Sequence, residues 1–136
     1  MNNSEQTLSI IKPDAVERNL VEEIKNIFKK NNLIIKESKK IQITKEEAAD
    51  FYRVHQSKPF YDELCSYLSS GPIVVMILEK EGAVKANREI MGSTNPKDAA
   101  EGTIRKKFGI SIDKNSVHGS DSLENAKIEI NFFFKD

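Results

Sequence analysis

The sequence has 136 residues, which suits one compact domain over 1–136 and is short for two; a chain of this size buries a core without disulfides or a structural metal. Its 21 Lys plus Arg balance 21 Asp plus Glu, so it lacks the basic excess of a dedicated nucleic-acid binder. The single cysteine, Cys65, excludes an intrachain disulfide and a cysteine-based metal site. The opening Met1-Asn2-Asn3-Ser4-Glu5 lacks the basic and apolar blocks of a signal peptide, and no apolar run is long enough to span a bilayer. A soluble cytoplasmic protein is expected.

Thr7-Leu8-Ser9-Ile10-Ile11 is a β-rich run that stops before Pro13 and predicts a strand. Leu20, Ile24, Ile27 and Phe28 recur at helical spacing and predict an amphipathic helix. Residues 33–43 predict a second strand, with Leu33, Ile35, Ile41 and Ile43 pointing one way. Thr44 and Glu47 form a capping box and open a helix with Ala48, Phe51, Tyr52 and His55 on one face. Pro59 interrupts, and a further helix follows with Tyr61, Leu64 and Leu68 inward.

Ile73-Val74-Val75-Met76-Ile77-Leu78 is apolar on both faces and predicts a central strand covered on both sides. Residues 83–91 predict a helix, and Gly92-Ser93-Thr94-Asn95-Pro96 a break. Residues 97–115 read as irregular, with one or two short helices. Val117-His118 reads as a strand end, and Ser120 and Asp121 as the start of a last helix with Leu123, Ala126 and Ile130 inward. The order β-α-β, helical insert, β-α, loop, β-α predicts an α+β (α/β) ferredoxin-like split βαβ sandwich, a four-stranded antiparallel sheet with its helices on one face.

His118 is the sharpest chemical feature. Gly119 beside it leaves room for a ligand to approach the backbone, and a helix start just beyond offers free N–H groups to phosphate oxygens. Histidine is nucleophilic and ordinarily partly neutral near physiological pH. Local composition alone leaves open a packed or surface histidine. His55, beside Gln56 and Ser57, reads as solvated. Arg88 and Arg105 can offer paired donors to phosphate, and Lys12, at a strand end before Pro13-Asp14, can project into a cleft. Phe60 after Pro59 reads locally as an anchor into the core before it reads as a stacking surface. Neither G-x-x-x-x-G-K-[ST] nor G-x-G-x-x-G is present, which excludes the P-loop and Rossmann readings.

Taken together the motifs resemble one family. Thr7 to Val16 is similar to the opening strand and turn of the nucleoside diphosphate kinases, and Asn115-Ser116-Val117-His118-Gly119-Ser120-Asp121-Ser122 is similar to their active-site signature. Between them Tyr52, Lys58-Pro59-Phe60, Ser70-Gly71-Pro72, Thr94-Asn95-Pro96 and Gly102-Thr103-Ile104-Arg105 fall in that family's order and spacing. The resemblance implies a ferredoxin-like fold and ping-pong transfer of a γ-phosphate through a pros-phosphohistidine at His118. It implies that Lys12, Tyr52, Arg88, Thr94, Arg105 and Asn115 hold phosphates and sugar, that Phe60 stacks on the base, and that Glu129 and Ser120 assist His118. It further implies nucleoside di- and triphosphates such as ATP, GTP, ADP and GDP as substrates, and Mg2+ delivered with the nucleotide rather than by a protein metal site. A small sheet with one uncovered face and edge strands gains by pairing, so a homo-oligomer is expected, a hexamer or alternatively a tetramer. Lys106-Lys107, Asn19 after Arg18, and a short C-terminal tail depart from the common pattern. The rival from another class is a ferredoxin-like nucleic-acid-binding or regulatory domain; neutral charge and the lack of paired aromatics on one strand argue against it.

Overall fold

The computed structural model describes residues 4–53, 56–110 and 114–134. In chain order these form β1 (Ser4–Ile11), α1 (Pro13–Glu17), α2 (Val21–Lys30), β2 (Ile34–Ile41), α3 (Lys45–Phe51), α4 (Tyr61–Leu68), β3 (Ile73–Glu81), α5 (Ala83–Met91), α6 (Ile104–Phe108), β4 (Val117–Gly119) and α7 (Leu123–Phe133). The strands make one antiparallel sheet in the order β2-β3-β1-β4. This is the split βαβ arrangement expected from the sequence.

Local chemistry sets several boundaries. Pro13 occupies the first turn of α1, where its missing N–H costs nothing. The capping box forms as expected: Glu47 N–H donates to Thr44 Oγ1 at 3.1 Å and Thr44 N–H to Glu47 Oε1 at 3.0 Å, a device worth about 1 kcal/mol. The stripe predicted for α2 is buried where it should be, with Ile24 and Phe28 fully enclosed. Asn19, the departure after Arg18, has φ 61°, a left-handed conformation that asparagine tolerates better than most non-glycine residues.

Two corrections follow from the core. Helices cover both faces of the sheet rather than one. On one face Ile11, Val74, Met76, Leu78 and Val117 pack with residues of α1, α2, α5 and α6; on the other Leu8, Ile10, Ile73 and Val75 pack with α3, α4 and α7. Residues 73–78 of β3 are all buried, so the expectation that this strand is covered on both sides holds, and both covers are helical. The alternation expected for β2 also fails. Ile35 pairs with Leu78 but Glu37 with Ile77, so Lys36 is an extra residue, a β-bulge that reverses the facing of all that follows. Leu33 and Ile35 therefore join the first core, whereas Ile41 and Ile43 join the second.

The last helix also starts later than expected. Ser122 caps it, accepting from Asn125 N–H at 3.1 Å. Leu123 is 46% exposed instead of inward, while Ala126 is buried and Ile130 half-buried.

Candidate functional site

His118 sits on β4 opposite Ile10 of β1, on the face covered by α3, α4 and α7. Its imidazole is half-buried. Nε2 lies 3.1 Å from Glu129 Oε1 on α7, and Ser120 Oγ donates to the same carboxylate oxygen at 2.8 Å. Ser120 Oγ in turn accepts from Leu8 N–H at 3.3 Å, which ties this group to β1. A carboxylate only accepts, so the contact places the ring proton on Nε2 and the lone pair on Nδ1. The edge of the ring meets Phe51, with centroids 5.3 Å apart, and Tyr52 at 6.5 Å. Burial, and then the charge of Glu129, push the Tyr52 hydroxyl above its ordinary range, so it is a neutral group at the histidine.

The helix start expected beside His118 is displaced by the later onset of α7, and the Ser120 N–H is spent on Leu8 O at 3.2 Å. Gly119 also has a different reason from the one expected. A Cβ there would lie 2.3 Å from Asn87 Nδ2 and 2.7 Å from Met91 Cε, so glycine is required for α5 to pack on β4, not for ligand approach.

A second group gathers at the end of β1. Lys12, almost fully buried, donates from Nζ to Asn115 Oδ1 at 2.9 Å, and Asn115 Nδ2 donates to Thr94 O at 3.1 Å. Arg105 on α6 is buried at 8% exposure, with its guanidinium fixed by Gly92 O at 3.0 Å and Val117 O at 2.9 Å. Its Nε has no protein partner. Val117 is the residue before His118, so this planar donor is held next to the imidazole strand with one buried N–H to offer an anion. Burial first, then the charge of Arg88, lower the Arg105 pKa to about 10, so the guanidinium remains cationic at neutral pH. Arg88, which contributes to that lowering, is exposed on the last turn of α5. Two cations that feel each other suit a polyanion.

Phe60 stands apart. It is 43% exposed at the start of α4, so the local reading of a core anchor fails. Thr94 is likewise exposed, and His55 lies outside the described residues. Sequence reasoning placed Phe51 beside Tyr52 on a helix face but gave it no role; its ring against His118 depends on α3 meeting β4, which no local pattern reports. Among the described residues no three His, Cys, Asp or Glu side chains are grouped so as to hold a metal ion, and no helix is long and apolar enough to cross a membrane. A groove of about 490 Å³ runs along β2 between Val16, Lys25, Lys40 and Val74 and contains none of the residues above.

A family model described as nucleoside diphosphate kinase matches residues 5–136. The sequence is 60% identical over 130 residues to the nucleoside diphosphate kinase of Campylobacter fetus, covering 96% of this chain and 95% of that protein. It is 58% identical over 130 residues, with the same coverage, to that of Nitratiruptor. The solved structure of the Aquifex aeolicus nucleoside diphosphate kinase is similar with a TM-score of 0.95 at 43% identity, covering 97% of this chain and 96% of that one. The one from Encephalitozoon cuniculi gives 0.94 at 37%, covering 97% and 90%.

Proposed function

The chain belongs to the nucleoside diphosphate kinase family, phosphotransferases that work by a ping-pong mechanism through a phosphohistidine, and from that premise we propose that His118 carries the phosphate between nucleotides. The observation that supports this most directly is the Nε2 contact with Glu129, which leaves Nδ1 as the nucleophilic nitrogen. In the first half-reaction Nδ1 attacks the γ-phosphorus of a nucleoside triphosphate, the phosphorus–oxygen bond to the β-phosphate breaks, and the diphosphate leaves. In the second, an incoming diphosphate oxygen attacks the same phosphorus and the phosphorus–nitrogen bond breaks. Each step is an in-line displacement that needs positioning and charge stabilisation more than covalent help.

The site residues divide the work. Glu129 and Ser120 fix the ring and offset positive charge on it as the bond to phosphorus forms. Arg105, Arg88 and Lys12 stabilise phosphate charge, with Tyr52, Thr94 and Asn115 contributing donors to phosphate and sugar. Phe60 offers the base a ring face and no edge-reading group, which supports low discrimination among ATP, GTP and the corresponding diphosphates ADP and GDP. Magnesium would arrive with the nucleotide, held by phosphate oxygens and water. The surrounding donor set of cations, amides and hydroxyls fits that role. When bound, the ion would neutralise charge on the β- and γ-phosphates.

We further propose a homo-oligomer, with a hexamer expected and a tetramer the alternative, and a cytoplasmic setting. The uncovered sheet face expected from the sequence is absent, since helices cover both faces. The support is instead β2, an edge strand carrying the 57% exposed Ile34, a feature that gains from pairing. Light scattering that shows a monomer at micromolar concentration contradicts this. The test of the catalytic reading is His118→Ala: GTP formation from ATP and GDP should vanish while circular dichroism stays unchanged. Appreciable turnover by the folded variant would overturn it.

A further inference from the structure

The polar contacts near His118 continue into a part of the fold that none of these roles uses. Ser116 is fully buried and has φ 76°, a conformation that a non-glycine residue keeps only where its surroundings over-determine it. Its carbonyl accepts from Lys12 N–H at 2.8 Å. Its hydroxyl donates to Asp14 Oδ2 at 3.1 Å and accepts from Arg18 at 3.3 Å.

Asp14 is itself almost fully buried. Arg18 donates to Oδ2 at 3.1 Å and extends to Phe108 O, at the end of α6, at 2.5 Å. The Tyr67 hydroxyl donates to Oδ1 and accepts from Asp14 N–H at 2.9 Å. Burial, then the bond to Asp14, push that hydroxyl well above its ordinary pKa, so it stays a donor.

One carboxylate therefore joins the turn after β1, the loop entering β4 and the end of α6. Each carries a piece of the proposed site. Lys12 is two residues before Asp14, Asn115 is one before Ser116, and Arg105 is on the helix that ends at Phe108. Lys12 and Asn115 meet at 2.9 Å although 103 residues separate them in sequence. We infer that Asp14 is a positioning residue for phosphoryl transfer: its Oδ2 holds the Lys12 turn, the Asn115–His118 segment and, through Arg18, α6 in one register. The inference rests on His118 being the phosphorylated residue.

A buried carboxylate can also be merely structural, and its two oxygens allow the roles to be separated. Oδ2 faces Ser116 and Arg18, whereas Oδ1 faces Tyr67 of α4. Ser116→Ala and Tyr67→Phe each delete one hydroxyl donor to the same carboxylate. A structural role predicts that both variants slow catalysis only in proportion to lost stability.

The experiment compares the unaltered full chain with Ser116→Ala, Tyr67→Phe and Asp14→Asn. Thermal midpoints are measured, together with rapid-quench phosphoenzyme formation from γ-labelled ATP and KM for ATP. Ser116→Ala and Asp14→Asn should lower the saturated rate by about tenfold or more, the scale of orienting groups behind a reactive side chain, with a smaller change in KM. Tyr67→Phe should lower the midpoint as much as Ser116→Ala and leave the rate within about twofold of the unaltered chain. Equal rates in all variants, or a Tyr67→Phe rate as slow as Ser116→Ala, would overturn the inference. If Asp14→Asn does not fold, the Ser116/Tyr67 pair decides. Failure of the His118 reading is distinguishable, because the unaltered chain would then show no histidine label at all.

Discussion

The histidine end and the base end of the proposed site are built by opposite means. Around His118, groups on and beside β1 and β4 and on α7 hold one another through hydrogen bonds of 2.8 to 3.3 Å, and Arg105 is clamped by two carbonyls. Phe60 at the other end is an exposed ring with Lys58 Nζ 5.7 Å from its centre. The difference follows from what each end must do. In-line transfer requires reacting atoms aligned to a fraction of an ångström, so the groups there are preorganised. Stacking tolerates small displacements and any base, so a surface ring suffices.

The contrast predicts where mutations act. The largest effect after loss of His118 should come from Arg105→Lys. Lysine lacks the planar fork that binds Gly92 O and Val117 O while presenting Nε, so kcat should fall by about a hundred- to a thousandfold, as for loss of one preorganised donor. Steady-state kinetics with ATP and GDP checks this, and a fall confined to KM would show that Arg105 contributes only binding. Glu129→Gln keeps the size and a hydrogen bond but removes the charge. Phosphoenzyme formation in stopped flow should slow by about ten- to a hundredfold, with nucleotide binding little changed. An unaltered rate would mean that the carboxylate decorates α7 and nothing more.

At the base end the effects should be smaller and fall on KM. Phe60→Ala should weaken nucleotide binding by the about 1–3 kcal/mol typical of one stacked base, with kcat closer to unchanged. Across ADP, GDP, CDP and UDP the unaltered protein should show kcat/KM values within a narrow range. A spread of about ten thousand, the scale of true hydrogen-bond discrimination, would contradict stacking without edge recognition.

The parts of this design that were legible in the sequence are those set by local chemistry. The strand 73–78 is apolar throughout, and Thr44 with Glu47 is a capping box whatever surrounds it. The bulge at Lys36 left no trace, because it lies in the polar run Lys36-Glu37-Ser38-Lys39-Lys40, where either face would accept these residues. The start of α7 was misplaced because Ser120 and Ser122 are equally good caps. What separates them is tertiary: the Ser120 hydroxyl is taken by Glu129 and Leu8.

The order and spacing of the site motifs pointed to the residues proposed to act, but not to how they are held. The Nε2 contact with Glu129 joins two elements, and the bond of Ser116 to Asp14 spans 102 residues. No local pattern encodes either distance. The same holds for the exposure of Phe60, since the Lys58-Pro59-Phe60 turn could equally point a ring inward.

The central claim is that His118 becomes phosphorylated on the nitrogen that Glu129 leaves free. The most direct measurement is incubation of the full chain with γ-labelled ATP, followed by ³¹P NMR of the isolated phosphoenzyme and a chase with unlabelled GDP. The account predicts a label that is acid-labile and alkali-stable, as a phosphoramidate is, located on Nδ1 of His118 and transferred to GDP. An acid-stable label, a label on Nε2, or a label that GDP does not remove would contradict it.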